Sequence, residues 1–127
     1  DAQILTFPAG LVSREINGHV MDLKWQKNFI VKAKQHKRHV IPIHINGGNT
    51  KFFYKLGSLR KRLGIKANIE MLYLIDETLK HKYKSFVVKF GEPIEHQAFD
   101  KTKRPTDWAF WVKQKVYKMD GINDVPL

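Results

Sequence analysis

Six histidines and the acids near them are the first place to look for proton transfer in this sequence. His19 is followed by Asp22 at the third position and His96 by Asp100 at the fourth, while His36, His39, His44 and His81 have no aspartate shortly after them. A histidine oriented by a carboxylate is a general base, but His96 and Asp100 lie in a polar stretch where such a pairing also arises by chance. His44, inside "VIPIHI", reads equally well as a sheet-face or core residue. None of the six has the His-Glu-x-x-His spacing of a metal site, so no metal is expected. There is no cysteine, which excludes a disulfide framework, a thiolate zinc site and a cysteine nucleophile. The other candidates cluster early, in "LTFPAGLVSR" (Leu5 to Arg14). An apolar run stops on Pro8-Ala9-Gly10, and Ser13 and Arg14 follow. Taken alone, Arg14 can be a solvated side chain after a turn, and Ser13 can serve the turn itself.

The charge balance points to partners of opposite sign. The 127 residues carry 23 Lys and Arg against 12 Asp and Glu, a net charge of +11. Such a surplus favours anionic surfaces and substrates (nucleic acid, acidic lipid, phosphorylated or CoA-like molecules) without specifying a fold. Length suits one domain, and a hydrophobic share of 43% is ordinary for a folded protein. No apolar run approaches the roughly 20 residues of a membrane-spanning helix, and no signal-peptide pattern opens the chain. It begins with Asp1 rather than Met, so a trimmed or truncated natural product is expected.

These residues must be positioned by the elements that the apolar pattern predicts. Gln3 to Phe7 reads as a buried strand ended by Pro8 to Gly10, and Leu11 to Met21 as a loop. Asp22 is a candidate N-cap for a helix over Leu23 to Lys37, with Trp25, Phe29, Ile30 and Ala33 on one face. Val40 to Ile45 reads as a second strand, in which Pro42 demands a gap or an edge. Thr50 to Leu63 reads as a helix burying a stripe of Phe52, Leu56, Leu59 and Leu63 that also takes in Phe53, with Lys51, Lys55, Lys61 and Arg62 on the other side and Gly64 as its C′ residue. A helix over Asn68 to His81 would bury Leu72, Ile75 and Leu79. Ser85 to Phe90 is a third strand. A last helix begins at Pro105 or Thr106, with Ala109, Val112 and Val116 inward. The order β-α-β-α-α-β-α implies an α/β fold, a mostly parallel or mixed sheet of about three strands covered by helices. Three strands are few for this class, so the chain reads as part of a larger sheet. Residues 1–120 form the domain part and 121–127 a loose tail. An exposed sheet edge would invite a dimer or crystal contact.

"FPAGLVSR" followed by "VIPIHI" resembles the two downstream motifs of the glycerol-phosphate and lysophospholipid acyltransferase family. There a strand ends in Phe-Pro-Glu-Gly, a Ser and an Arg follow, and a later strand carries apolar-Pro-apolar. The run from "NTKFFYKLGSLRKRLGIKANIEMLYLIDE" to "FGEPI" is similar to that family's haemolysin-labelled bacterial branch, close to the enzymes of ornithine-lipid and related aminolipid synthesis. The resemblance implies that Gly10, Ser13 and Arg14 hold the acceptor's phosphate or polar head, as an Arg fork and a close glycine backbone would suit. It implies that Phe7 and Pro8 end the strand and that Pro42 shapes the acyl or acceptor pocket. Ala9 departs from the pattern, standing where the family has an acid. The family's base is His followed by four residues and Asp, and no histidine here has that spacing. The catalytic pair is therefore expected upstream, and this chain alone is expected to be inactive. The chemistry implied for the complete protein is acyl transfer from acyl-CoA or acyl-carrier protein to the hydroxyl of a lysophospholipid or lyso-aminolipid. It implies no bound cofactor and a place on the cytoplasmic, inner face of the plasma membrane.

Two alternatives accompany that implication. The helix over Thr50 to Leu63 is either core-packed with a solvated basic face, or it docks on an anionic membrane surface. The basic cluster "KAKQHKRH" admits a nucleic-acid-binding or other non-catalytic interaction domain. No nucleic-acid-binding motif accompanies it, so nucleic acid is not an expected partner.

Overall fold

A computed structural model describes residues 3–16, 18–47, 51–66, 72–80 and 85–127. The chain divides into two units: residues 1–12, 22–46 and 88–127 form one, and residues 13–21 and 47–87 the other.

In the first unit, α1 (Asn28–Gln35) and α4 (Pro105–Lys118) pack together. The face predicted for the first helix is the one that packs: Ile30 and Ala33 are buried, and Trp25 and Phe29 join them. The helix starts later than expected because Asp22 is used elsewhere. Its backbone N–H donates to the Tyr117 hydroxyl at 2.6 Å, and its carboxylate accepts the Trp25 indole N–H at 2.9 Å. Pro105 opens α4, where a missing N–H costs nothing. Arg104 grips Asp107 with two bonds, at 2.9 and 3.0 Å. Trp108, Ala109, Val112 and Val116 close the core with Phe99 and Ile94. Phe99 and Trp108 meet edge to face at 5.7 Å, as do Trp108 and Trp111 at 5.3 Å. Each such apolar side chain contributes about 1.5–3 kcal/mol on burial.

The strands differ from the expected sheet. β3 (Ile43–Asn46) pairs with β4 (Val87–Phe90), and an antiparallel bridge from Val40 to Ile94 prolongs the ribbon. The interruption falls at Pro42, which has no N–H to give but accepts the Gly91 N–H at 2.8 Å. The expectation of a mostly parallel sheet is thus corrected: helices and two small two-stranded sheets are present among the described residues, and the pairing is antiparallel. The predicted strand Gln3 to Phe7 is also corrected. It is irregular, with Ile4, Leu5 and Phe7 exposed, because strand propensity is realised only when a neighbouring strand takes up the backbone bonds. The segment expected as a loose tail packs back on α4: Val125 is buried and the Lys113 ammonium donates to the Pro126 carbonyl at 3.1 Å.

In the second unit, β1 (Arg14–Ile16) and β2 (His19–Met21) form a hairpin where a loop was expected. Ile16 pairs with His19 and Gly18 is left-handed, at φ +78°. The sequence dipeptide Asn17-Gly18 is the signal for such a turn. The hairpin contacts α2 (Lys51–Arg62), which ends with the Ile65 N–H bonded to the Arg60 carbonyl around left-handed Gly64, the closure expected of a C′ glycine. The predicted inward face of α2 is corrected. Phe53, Tyr54, Gly57 and Arg60 are buried, whereas Phe52, Leu59 and Leu63 are exposed. A glycine at position 57 gives the Phe53 face the flatter surface for close packing, and the Arg60 Nη1 satisfies the Ile65 carbonyl at 2.8 Å. The last helix of this unit, α3, spans Leu74–Lys80. Its predicted inward residues Leu72, Ile75 and Leu79 are likewise exposed. The beginning of the predicted helix, from Asn68, and its end at His81 lie outside the described residues.

Candidate functional site

The Phe7 to Gly10 segment is a tight turn held from both sides. The Gly10 N–H closes it on the Phe7 carbonyl at 3.0 Å, and the Gln26 N–H reaches the Pro8 carbonyl at 2.9 Å. Gly10 stands at φ +63°, a conformation that a side chain would strain. Ala9, in the place of the family acid, packs against the apolar core of the first unit. A carboxylate at that position would need a partner to offset its burial. Pro8 is half-buried, and the Phe7 ring is exposed.

Ser13 and Arg14 belong to the second unit and are half-buried. Arg14 opens β1 opposite Met21. Its Nε and Nη1 atoms are withdrawn from solvent, unlike a solvated arginine after a turn. Gly10 belongs to the first unit. The structure therefore fixes the two halves of the predicted motif locally: a tight turn closed on a left-handed glycine in one unit, and in the other Arg14 at the start of β1 with Ser13 just before it.

Pro42 is buried and lies in the wall of a groove in the first unit, with a volume of about 610 Å³. Gly91, Ile94, Ala98, Trp111 and Met119 supply much of its apolar surface, and Glu92, Glu95, Lys115 and Lys118 its charges. Lys115 sits 4.4 Å from the Trp111 ring centroid, covering the aromatic face with a cation. A side chain at Gly91 would meet Met119 Sδ at 3.0 Å and Pro42 Cβ at 3.4 Å. The bare glycine backbone is thus part of how this wall is shaped.

The histidines form no catalytic pair among the described residues. Asp100 accepts both the Thr102 backbone N–H and its hydroxyl, and these bonds hold its carboxyl below the ordinary carboxylate range. His96 instead lies beside His39, with ring centroids 6.2 Å apart. His44 is buried edge-on against Tyr117, at 5.8 Å, consistent with a packed sheet histidine. Among the described residues no cluster of His, Asp and Glu could hold a metal. No helix among them is long and apolar enough to cross a membrane.

Among the described residues, two buried cations escaped sequence reasoning. Arg60 had a signal, since it shares the spacing of Phe53 and Gly57 on α2. Lys113 had none, because its acceptor is a carbonyl supplied by Pro126.

Comparison with known proteins joins these segments to one family. An acyltransferase family profile matches residues 1–125, a span that takes in both the Phe7 to Arg14 segment and Pro42. The chain is 54% identical over 119 residues to the lyso-glycine lipid O-acyltransferase of Bacteroides thetaiotaomicron, covering 94% of this chain and 44% of that protein. It is 50% identical, again over 119 residues, to the enzyme of the same name from Phocaeicola vulgatus, covering 94% and 43%. The chain thus spans less than half the length of the curated relatives it matches. No solved structure matches it. The motifs that first suggested this assignment are the glycine turn, the Ser13-Arg14 pair and Pro42, and the chain belongs to the acyltransferase family.

Proposed function

We propose that this chain is the acceptor-binding part of an O-acyltransferase that transfers an acyl group to the hydroxyl of a lyso-glycine lipid or a closely similar lyso-aminolipid. The observation that carries this reading is the 54% identity, across nearly the whole chain, to an enzyme of that name. Acyl-CoA or acyl-carrier protein is the donor. A base takes the proton of the acceptor hydroxyl, the oxygen forms a bond to the acyl carbon, and the carbon–sulfur bond breaks with the thiol leaving. A positioned base contributes about 10² to 10⁴ in rate. By resemblance that base is a His-x4-Asp pair upstream of Gln3, so this part of the protein contributes positioning rather than proton transfer.

Arg14 is the group proposed to grip the acceptor head. A glycine headgroup ends in a carboxylate, which a guanidinium binds in a bidentate manner as well as it binds phosphate. By resemblance Ser13 shares that role in the second unit, while in the first unit Gly10 is assigned to head binding and Phe7, Pro8 and Pro42 to shaping a pocket.

The test is an acylation assay on the protein in the form its cell makes, with lyso-glycine lipid and either donor, read by mass spectrometry. The expected product is the acceptor carrying one more acyl chain. Arg14→Lys should raise KM about tenfold or more with kcat less affected, because it removes uniform binding of the head. Absence of transfer to any lysolipid hydroxyl, or an Arg14→Lys enzyme with unchanged KM, would refute the reading.

A further inference from the structure

The second unit turns its leucines outward. On α2 the buried positions are Phe53, Tyr54, Gly57 and Arg60, so Phe52, Leu59 and Leu63, with the half-buried Leu56 between them, face away from that packing. Leu59 and Leu63 are 53% and 64% exposed, and Leu72 and Ile75 are 78% and 75% exposed. The Phe52 and Tyr73 rings meet edge to face at 5.6 Å, which ties the stripe on α2 to the residues leading into α3. One aromatic contact thus joins the exposed stripe of α2 to the exposed apolar residues around the start of α3.

One flank of the α2 stripe is cationic. At 100° per residue, Lys55 and Arg62 both fall on one border of the stripe, and both are exposed. Residues 47–87 hold nine Lys and Arg against three Asp and Glu. An apolar stripe bordered by cations is the pattern of a helix lying in the plane of a bilayer interface, with its leucines among the acyl chains and its cations at anionic headgroups. A solvated helix would show the reverse, with its leucines packed inward.

We propose that the α2–α3 surface docks the protein on an anionic bilayer, with Phe52, Leu59, Leu63, Leu72, Ile75 and Leu79 in the interface and Lys55 and Arg62 on headgroup phosphates. This deepens the lipid-acceptor reading and rests on it, since an enzyme acting on lysolipids must reach them in the membrane. Charge complementarity favours an anionic partner, and the exposed apolar stripe favours a bilayer over nucleic acid, which would leave the leucines in water.

The test is vesicle flotation of the protein in the form its cell makes, using phosphatidylglycerol–phosphatidylethanolamine vesicles and phosphatidylcholine vesicles, with no lysolipid or acyl donor. Binding to the anionic vesicles is expected, weakened about fivefold for each of Lys55→Gln and Arg62→Gln. Leu59→Ser with Leu63→Ser should weaken it at least about tenfold while leaving the melting temperature unchanged. Unchanged vesicle binding in the leucine variant would overturn the proposal. So would a melting point lowered by several degrees, which would mean that protein covers the stripe, or salt-steep binding to DNA without vesicle binding. Acyl transfer to detergent-dispersed lysolipid is measured separately. Activity there with no vesicle binding would sink the docking surface alone, and vesicle binding with no transfer would sink the acyltransferase reading alone.

Discussion

Deleting Val125 to Leu127 tests whether the C-terminal segment is part of the core of the first unit. Val125 is buried, and its removal forfeits about 2 kcal/mol of apolar burial. The deletion also removes the Pro126 carbonyl that accepts from the buried Lys113 ammonium at 3.1 Å. A hydrogen bond with one charged partner has a net worth of about 1.5–3 kcal/mol, and water entering the vacated space brings the loss toward the lower end. The sum is about 3 to 4 kcal/mol, or a fall of about 10 to 15 °C in melting temperature for a domain of this size. Urea unfolding of the full chain, the deletion, Lys113→Met and the combined variant forms a double-mutant cycle. In the methionine background the deletion should cost only the valine share, about 2 kcal/mol. A deletion costing under about 1 kcal/mol, or costing the same in both backgrounds, would refute the reasoning and restore the loose tail of the sequence reading.

Two further perturbations probe the same unit. Burial is the main cause holding the Lys113 ammonium below its usual range, with the Asp22 carboxylate opposing it. In the unfolded chain the lysine regains its ordinary value of about 10.4, so between the folded and unfolded values the unfolded state binds more protons and stability rises with pH. The stability of the parent protein relative to Lys113→Met should therefore be level at neutral pH and climb in the alkaline range; a level difference throughout would place the amine in water. At Gly91, valine should cost about 1–3 kcal/mol by overpacking the Pro42 wall, and alanine less, because the nearest atom is the yielding Met119 thioether. Equal urea midpoints for glycine and valine would show that the groove does not need the bare backbone.

The parts of the fold legible in the sequence were those where one pattern dominated. Pro105 with Ala109, Val112 and Val116 defines α4, and Trp25, Phe29, Ile30 and Ala33 define the packing face of α1. On α2 two faces compete. The leucine stripe carries more hydrophobicity, yet the Phe53, Gly57 and Arg60 face is the one buried. Periodicity locates a helix but does not choose between two apolar-compatible faces when packing partners lie elsewhere in the chain. Gln3 to Phe7 has strand composition without strand structure because composition cannot supply a neighbour. The hairpin reads as a loop in the sequence, although Asn17-Gly18 is a turn signal, because the flanking strands are too short for alternation to register. For the candidate site, "FPAGLVSR" identifies the turn and the Ser-Arg pair, and Pro42 identifies the groove wall. The withdrawal of Arg14 nitrogens from solvent and the Lys113 tether depend on backbone and side chains that no local pattern announces.

The first unit is threaded rather than continuous, and that bears on how it is made. Its two main helices cannot meet until α4 has emerged, so its core is assembled from contacts of long sequence separation, which slow folding. Between them, residues 47–87 leave from the end of β3 and return at the start of β4, two strands that are already paired. Closing that excursion costs about 3 kcal/mol of chain entropy, and the cost grows only with the logarithm of its length. Insertions or deletions within residues 47–87 should therefore tax the α1–α4 core very little. A change in the length of that stretch is thus a perturbation of the second unit alone, with the stability of the first nearly unchanged.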